Sequence, residues 1–249
     1  MTNVLLIGDA CTDRYMVGTV DRLSPEAPVP VIKLVSTTDV PGMSANVHLN
    51  LKNLGIDADF VCNTEPITKT RYIDQRSGQH LLRVDNEPSI NPWDNSTPLP
   101  IDHYDIIVIS DYNKGFLSSS QIYQLIKNSS CPIFIDTKKR DLKMFNEPDV
   151  FIKINELEFN NANSEHDNLI VTLGDRGASY NGKLYSTEPV EVMDVCGCGD
   201  TFLAALATKY LITNDIETAI MFANDAAGIT VQHRGNYAPT HKEIEHARY

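Results

Sequence analysis

The sequence predicts an α/β protein: one mostly parallel sheet, helices on both of its faces, and a small β-ribbon lid over the ligand crevice. Three observations carry this. Short, continuously apolar runs recur, among them "NVLLIG", "DIIVIS", "PIFID" and "VFIKIN". Strands apolar on both sides belong to a parallel sheet covered on both faces. Helical stretches separate these runs, as parallel connections require. Polar residues (Asp9, Asp111, Asp136 and Asn155) stand at their carboxyl ends, where α/β sheets bind ligands.

Taken in order, "NVLLIGD" is the first strand and "SANVHLNLKNLG" a helix, with Ala45, Leu49 and Leu54 at helical spacing and Gly55 as its stop. "YDIIVISDY" is the next buried strand. "SSSQIYQLIKNSS" is a helix capped near Ser118. "CPIFIDTK", "PDVFIKIN" and "NLIVTLG" are further strands, and "TFLAALATKYLI", "IETAIMFANDAAGITVQH" and "HKEIEHARY" are helices. Residues 14–38 and 68–84 break the pattern. Their turn residues and alternating apolar positions predict hairpins, which form the lid. No repeat or low-complexity tract divides the chain, so residues 1–249 are expected to form one domain.

Bulk properties narrow the function. A formal net charge of −12 argues against nucleic acid or an anionic membrane surface as partner. No apolar run reaches the length of a membrane span, and the first run is too short for a signal peptide. A cytoplasmic chain keeping its five cysteines as thiols is the expectation.

The most informative stretch is "DVCGCGDTFLAAL", from Asp194 to Leu206. One reading makes Cys196 and Cys198 a metal or redox pair, although no second Cys or His pair lies at zinc-like spacing. A second makes Gly197, Cys198 and Gly199 a backbone cradle for an anion at a helix N-terminus, with Asp200 as a base facing an acceptor hydroxyl. That arrangement suits a phosphoryl group in transfer. A third leaves Asp200 as an N-cap and the glycines as turn residues.

"DVCGCGDTFLAALA" resembles the D-x-x-G-A-G-D-x-F signature of the ribokinase-like (pfkB) carbohydrate kinases, with Cys198 where Ala is usual. The resemblance implies the ribokinase-like three-layer fold. It also implies Gly197, Cys198 and Gly199 as anion hole and Asp200 as catalytic base. "RLSPEAPVPV", "PGMSANVHLNLKNLG", "TKTRYI", "QHLLRVDNE", "SDYNKG" and "FANDAAGITVQHRG" resemble, more narrowly, the kinase half of the ADP-heptose synthase family. This implies ATP and Mg²⁺ as cofactors. It also implies a sugar-phosphate acceptor, D-glycero-D-manno-heptose 7-phosphate, phosphorylated at the anomeric hydroxyl.

The remaining site residues follow from the same resemblance. Asp9, Asp13, Gly42 and Asn46 are implied at the sugar, with Met43 in place of a second glycine. Arg71 and Arg83, near Lys69 on the lid, are expected to hold the sugar's phosphate, since arginine offers a bidentate fork. Asp111, near Lys114, is expected at the acceptor or at a metal-bound water, and Lys138 at phosphate charge. Asn155 and Glu158, sharing a helix face at i, i+3, match an N-x-x-E motif associated with Mg²⁺ and its waters. Thr172, Gly174 and Gly177 match a nucleotide-binding turn, and Asn224 the adenine pocket, beside a thin wall at Ala226 and Gly228.

The chain is short for this family after Gly55 and after Glu158, where peripheral helices are expected to be missing. No segment is expected to supply the nucleotidyltransferase half of the bifunctional relatives. Two alternatives stay open: a kinase for another sugar or sugar phosphate, and a degenerate kinase that binds ligands as a regulatory or assembly partner. Exposed ribbon edges tend to be covered, so a homodimer through the lid ribbons is expected.

Overall fold

The computed structural model describes residues 2–96, 99–164 and 166–247. Its elements are β1 (Val4–Gly8), β2 (Ala10–Leu23), β3 (Pro30–Met43), α1 (Ser44–Asn53), β4 (Ala58–Cys62), β5 (Thr68–Asp74), β6 (His80–Asn86), β7 (Ile106–Asp111), α2 (Ser119–Asn128), β8 (Ile133–Thr137), β9 (Val150–Asn155), α3 (Glu156–Asn161), β10 (Leu169–Thr172), β11 (Ala178–Tyr180), β12 (Lys183–Tyr185), α4 (Cys198–Thr213), α5 (Ile216–Thr230) and α6 (His241–His246). The main sheet has eight strands in the order β12-β11-β10-β9-β8-β7-β1-β4. β4, β1, β7, β8, β9 and β10 run parallel, and β11 and β12 are added antiparallel.

Alternation along β1 shows how the two faces are covered. Val4 and Leu6 pack with Val47 and Leu51 of α1, Leu203 of α4, Ile220 of α5 and Ile244 of α6. Leu5 and Ile7 point the other way and pack with Ile122 and Leu125 of α2. The sheet is therefore buried on both sides, as the apolar runs predict. α2 starts at the expected place: Ser118 and Gln121 cap it reciprocally. α1 differs in its buried stripe. Val47, Leu51 and Leu54 are buried with Asn46 and Asn50, whereas Ala45 and Leu49 are only half-buried. Polar side chains on that face serve the site rather than the core.

The lid is a second sheet, in the order β3-β2-β5-β6. It is longer than residues 14–38 and 68–84, because β2 and β3 pair from Ala10 opposite Met43 out to Leu23 opposite Pro30. β5 joins β2 in parallel and β6 closes on β5. The connections are short in the two stretches where helices are expected to be missing. Between α1 and β5 only β4 is present, and α3 has six residues. Leu157 and Phe159 on that short helix stay exposed.

Candidate active site

Asp200 is the centre of the site. It lies in the first turn of α4 and not at its cap; the N-cap is Gly197, in the left-handed region at φ 75°. The cap reading of Asp200 is thereby corrected: its carboxylate makes no capping bond. Instead Asn46 Nδ2 donates to Asp200 Oδ2 at 3.0 Å, and the Tyr112 hydroxyl donates to Oδ1 at 2.8 Å. Burial pushes the Asp200 carboxyl up to about 6, while these two donors and Lys153 oppose it and Asp136 adds to it. A carboxylate with that value is ionised at neutral pH and still a competent proton acceptor.

The turn before Asp200 is shaped by its neighbours. A Cβ on Gly197 would lie 2.7 Å from Asn46 Nδ2 and 3.1 Å from Asn236 Oδ1. A Cβ on Gly199 would lie 2.9 Å from Lys153 Nζ. Both glycines are needed for close packing, and the amides of the first helical turn lack intrahelical partners. Cys198 and Cys196 are both pushed up by burial, Cys196 to about 11. Neutral thiols are poor nucleophiles, and among the described residues no group of three or more His, Cys, Asp or Glu could hold a metal ion, which disfavours the metal or redox reading.

Residues at the carboxyl ends of the strands form the rest. Asp13, nearly buried, takes the Arg71 guanidinium on one oxygen and Asn236 Nδ2 on the other at 2.9 Å. Gly42 makes room for it, since a Cβ there would lie 2.3 Å from Asp13 Oδ2. Lys69 from the lid and Lys138 each stand 5.2 Å from the centre of the Tyr112 ring. Lys114 joins Glu87 at 2.6 Å and ties the lid to the loop after β7. A pocket of about 520 Å³ opens outward between lid and body. Asn236, Tyr15, His80 and Arg234 are among the residues that line it. Among the described residues the Arg234 guanidinium has no ion-pair partner.

Comparison with known proteins finds carbohydrate kinases. Residues 126–243 match the pfkB family of carbohydrate kinases. The chain is 31% identical to the Bifunctional protein HldE of Escherichia coli O9:H4 (strain HS), over 98% of this chain and 63% of that protein. The same protein of Citrobacter koseri is 32% identical over the same shares. Residues 126–243 therefore carry a pfkB carbohydrate kinase domain. The chain spans 63% of the length of those relatives. Among solved structures, ribokinase from Thermotoga maritima superposes with a TM-score of 0.71 at 17% identity, covering 98% of this chain and 99% of that one. Phosphofructokinase-2 from Escherichia coli, in complex with substrates and products, gives 0.74 at 16% identity over 99% and 98%. These likenesses establish the ribokinase-like fold.

Several residues singled out in the sequence have partners within the fold. Both oxygens of Asp9 accept backbone amides, from Lys114 and Phe116, so it braces the loop after β7. Asp111 accepts from Thr137 at 2.6 Å and from Lys139 at 2.8 Å and is fully buried. Asn224 donates to the Tyr185 carbonyl at 2.8 Å, which spends its amide on β12. Arg83 lies opposite Arg71 in the lid but is held by Asp85 at 2.7 Å. Asn155 and Glu158 cap α3 for each other, and Glu158 also pairs with Lys138. Thr172 ends β10, and Gly174 and Gly177 form the turn after it, at φ 65° and 91°.

Sequence reasoning missed Tyr112, Asn236, Arg234 and Lys153. A signal existed for Lys153: it is the one charge inside the apolar run "VFIKIN". Tyr112 and Asn236 sit in loops, where nothing local marks a tyrosine or an asparagine as a partner of distant residues.

Proposed function

We propose that this chain is an ATP-dependent sugar-phosphate kinase acting on D-glycero-D-manno-heptose 7-phosphate at its anomeric hydroxyl. One observation carries the reading: a buried carboxylate, Asp200, raised to about 6 and aimed by Asn46 and Tyr112, directly follows a glycine turn at a helix N-terminus. Asp200 takes the hydroxyl proton, and the first-turn amides of α4 meet the phosphoryl charge. Asp13, buttressed by Arg71 and Asn236, is the group for sugar hydroxyls. The heptose assignment rests on the lid and "SDYNKG" segments and on the likeness to the HldE proteins.

The far phosphate of such a sugar needs a cation without a partner. Arg71 and Arg83 are both engaged by carboxylates. Arg234, with His80 beside it on the pocket wall, is the better candidate.

For magnesium the donor set is thin. Glu158 is one carboxylate already paired with Lys138, and Asn155 is occupied as a cap. Among the described residues no group of three or more His, Cys, Asp or Glu could hold a metal ion. These residues fit an ion that arrives on the nucleotide phosphates and keeps most of its waters, with Glu158 holding one of them. When bound, the ion neutralises phosphate charge.

Among the described residues no helix is long and apolar enough to cross a membrane. The cytoplasm, where ATP is supplied, is the compartment proposed. The lid sheet leaves Leu34, Val35, Leu82 and Val84 exposed, and a homodimer that covers them is part of the proposal.

The test is ADP release with ATP and Mg²⁺ over heptose 7-phosphate, fructose 6-phosphate, ribose and fructose. Turnover on the heptose phosphate, lost in Asp200→Asn, is the expected result. Turnover on another sugar would keep the mechanism and replace the acceptor. Silence throughout, with ATP still bound, would point to a degenerate kinase.

A further inference from the structure

β9 is an apolar strand of the buried sheet, yet it carries a lysine, Lys153, that is 4% exposed. Its register partner on β8 is Asp136, and Lys153 Nζ donates to Asp136 Oδ2 at 2.7 Å. Both groups lie on the face where α4 packs, since Phe151, two residues earlier on β9, joins the α4 core. A buried pair of this kind is a poor source of stability. It is also incompletely satisfied: Asp136 Oδ1 has no hydrogen-bond partner. An ammonium carries three donors. Among the described residues Asp136 is the one acceptor recorded for Lys153, so two N–H groups are uncommitted.

Those donors stand at a particular place. A Cβ on Gly199 would be only 2.9 Å from Lys153 Nζ, so the ammonium lies directly against the first turn of α4. Burial pulls that ammonium down, but Asp136, Glu158 and Asp200 around it outweigh burial and keep it charged. The other lysines near the site are placed differently: Lys138 is paired with Glu158, and Lys69 is on the lid.

We infer that Lys153 is a further catalytic residue of the transfer: held by Asp136 beneath the Gly197–Gly199 turn, its ammonium meets the phosphoryl group in flight. The inference rests on the kinase reading above. In the step, the bond from the γ-phosphorus to the bridging oxygen breaks and its electron pair leaves with ADP. The sugar oxygen bonds to phosphorus and its proton passes to Asp200. Lys153 keeps its protons and supplies fixed positive charge where the oxygens of the phosphoryl group crowd the turn.

The test separates this from a structural ion pair by removing both charges. Lys153→Met/Asp136→Asn leaves no orphaned ion and is expected to fold, because neutral replacements of buried pairs are commonly tolerated. With whichever sugar the wild type accepts, kcat is expected to fall by about 10²–10³-fold, the loss typical of one oxyanion donor, with ATP affinity little changed. A double variant whose kcat stays within about threefold of wild type overturns the inference. If the wild type turns over no sugar, the kinase reading has failed, and calorimetry of ADP with and without aluminium fluoride decides the role of Lys153. The fluoride is expected to tighten ADP binding to the wild type and not to the double variant. No gain in the wild type, or an equal gain in both proteins, overturns the inference.

Discussion

The role proposed for Asp200 and its stability cost both follow from its burial. The charged and titratable groups around it are Tyr112 after β7, Asp136 on β8, Lys153 on β9, Cys11 on β2 and Cys198 on its own helix. With the carboxyl at about 6, the kcat/KM of the wild type is expected to fall with decreasing pH through that value. A profile flat down to pH 5 would remove Asp200 as the base. Stability has its own window. Below the ordinary 3.8 the carboxyl is protonated whether folded or not; between 3.8 and about 6 the native state keeps a proton that the unfolded chain has released. Stability therefore falls as pH rises through that window, by roughly 3 kcal/mol in all. Asp200→Asn lacks this slope. Urea unfolding of both proteins between pH 4 and 7 measures it, and parallel curves would contradict the raised value. Arg234 gives a second prediction at this scale. Arg234→Gln is expected to raise KM for a sugar phosphate by about 10–100-fold, the worth of a charge-assisted contact, and to leave an unphosphorylated sugar unaffected. Equal effects on both would place the phosphate elsewhere.

Turns govern how the elements serve the site. Gly177 sits at φ 91°, and a Cβ there would come within 2.1 Å of the Tyr185 carbonyl oxygen. Gly177→Ala is expected to displace β12 from the turn after β10 and weaken ATP binding, with a cost of about 1–3 kcal/mol for the forbidden backbone region alone. Unaltered ATP affinity would detach this turn from the nucleotide. Met43 shows a different solution. It stands where the family has glycine, caps α1 at φ 57° and ψ −134°, and is buried with Cys11 and Ile67. Its side chain joins that small cluster, which Tyr112 packs against. The strain at this residue is thus borne beside the tyrosine that positions Asp200.

On the scale of the molecule, the short connections after α1 and α3 leave the central architecture intact. β4 still closes one edge of the sheet, and the chain passes from it directly to the lid. The exposed apolar side chains of the lid give the test of assembly. The wild type is expected to scatter light as a dimer at micromolar concentration, and Leu34→Lys/Val84→Lys as a monomer. A monomeric wild type would show that the lid works alone.

Much of this was legible in the chain. The parallel sheet, the two lid ribbons, the Ser118 cap and the glycine turn before Asp200 are written locally, in apolar runs and turn residues whose preferences need no distant partner. The fates of individual polar side chains were not. Asn46 and Asp200 are 154 positions apart. Asp9, Asp111 and Asn224 have site-like positions, yet buried amides, hydroxyls and carbonyls must be paired, and each has such a group as a partner in the fold. Lys153 was visible as a charge in an apolar strand, but only packing put it under Gly199. Sequence alone determined the scaffold and pointed to Asp200; tertiary contact decided which charges surround that carboxylate, because burial and pairing are properties of the folded neighbourhood.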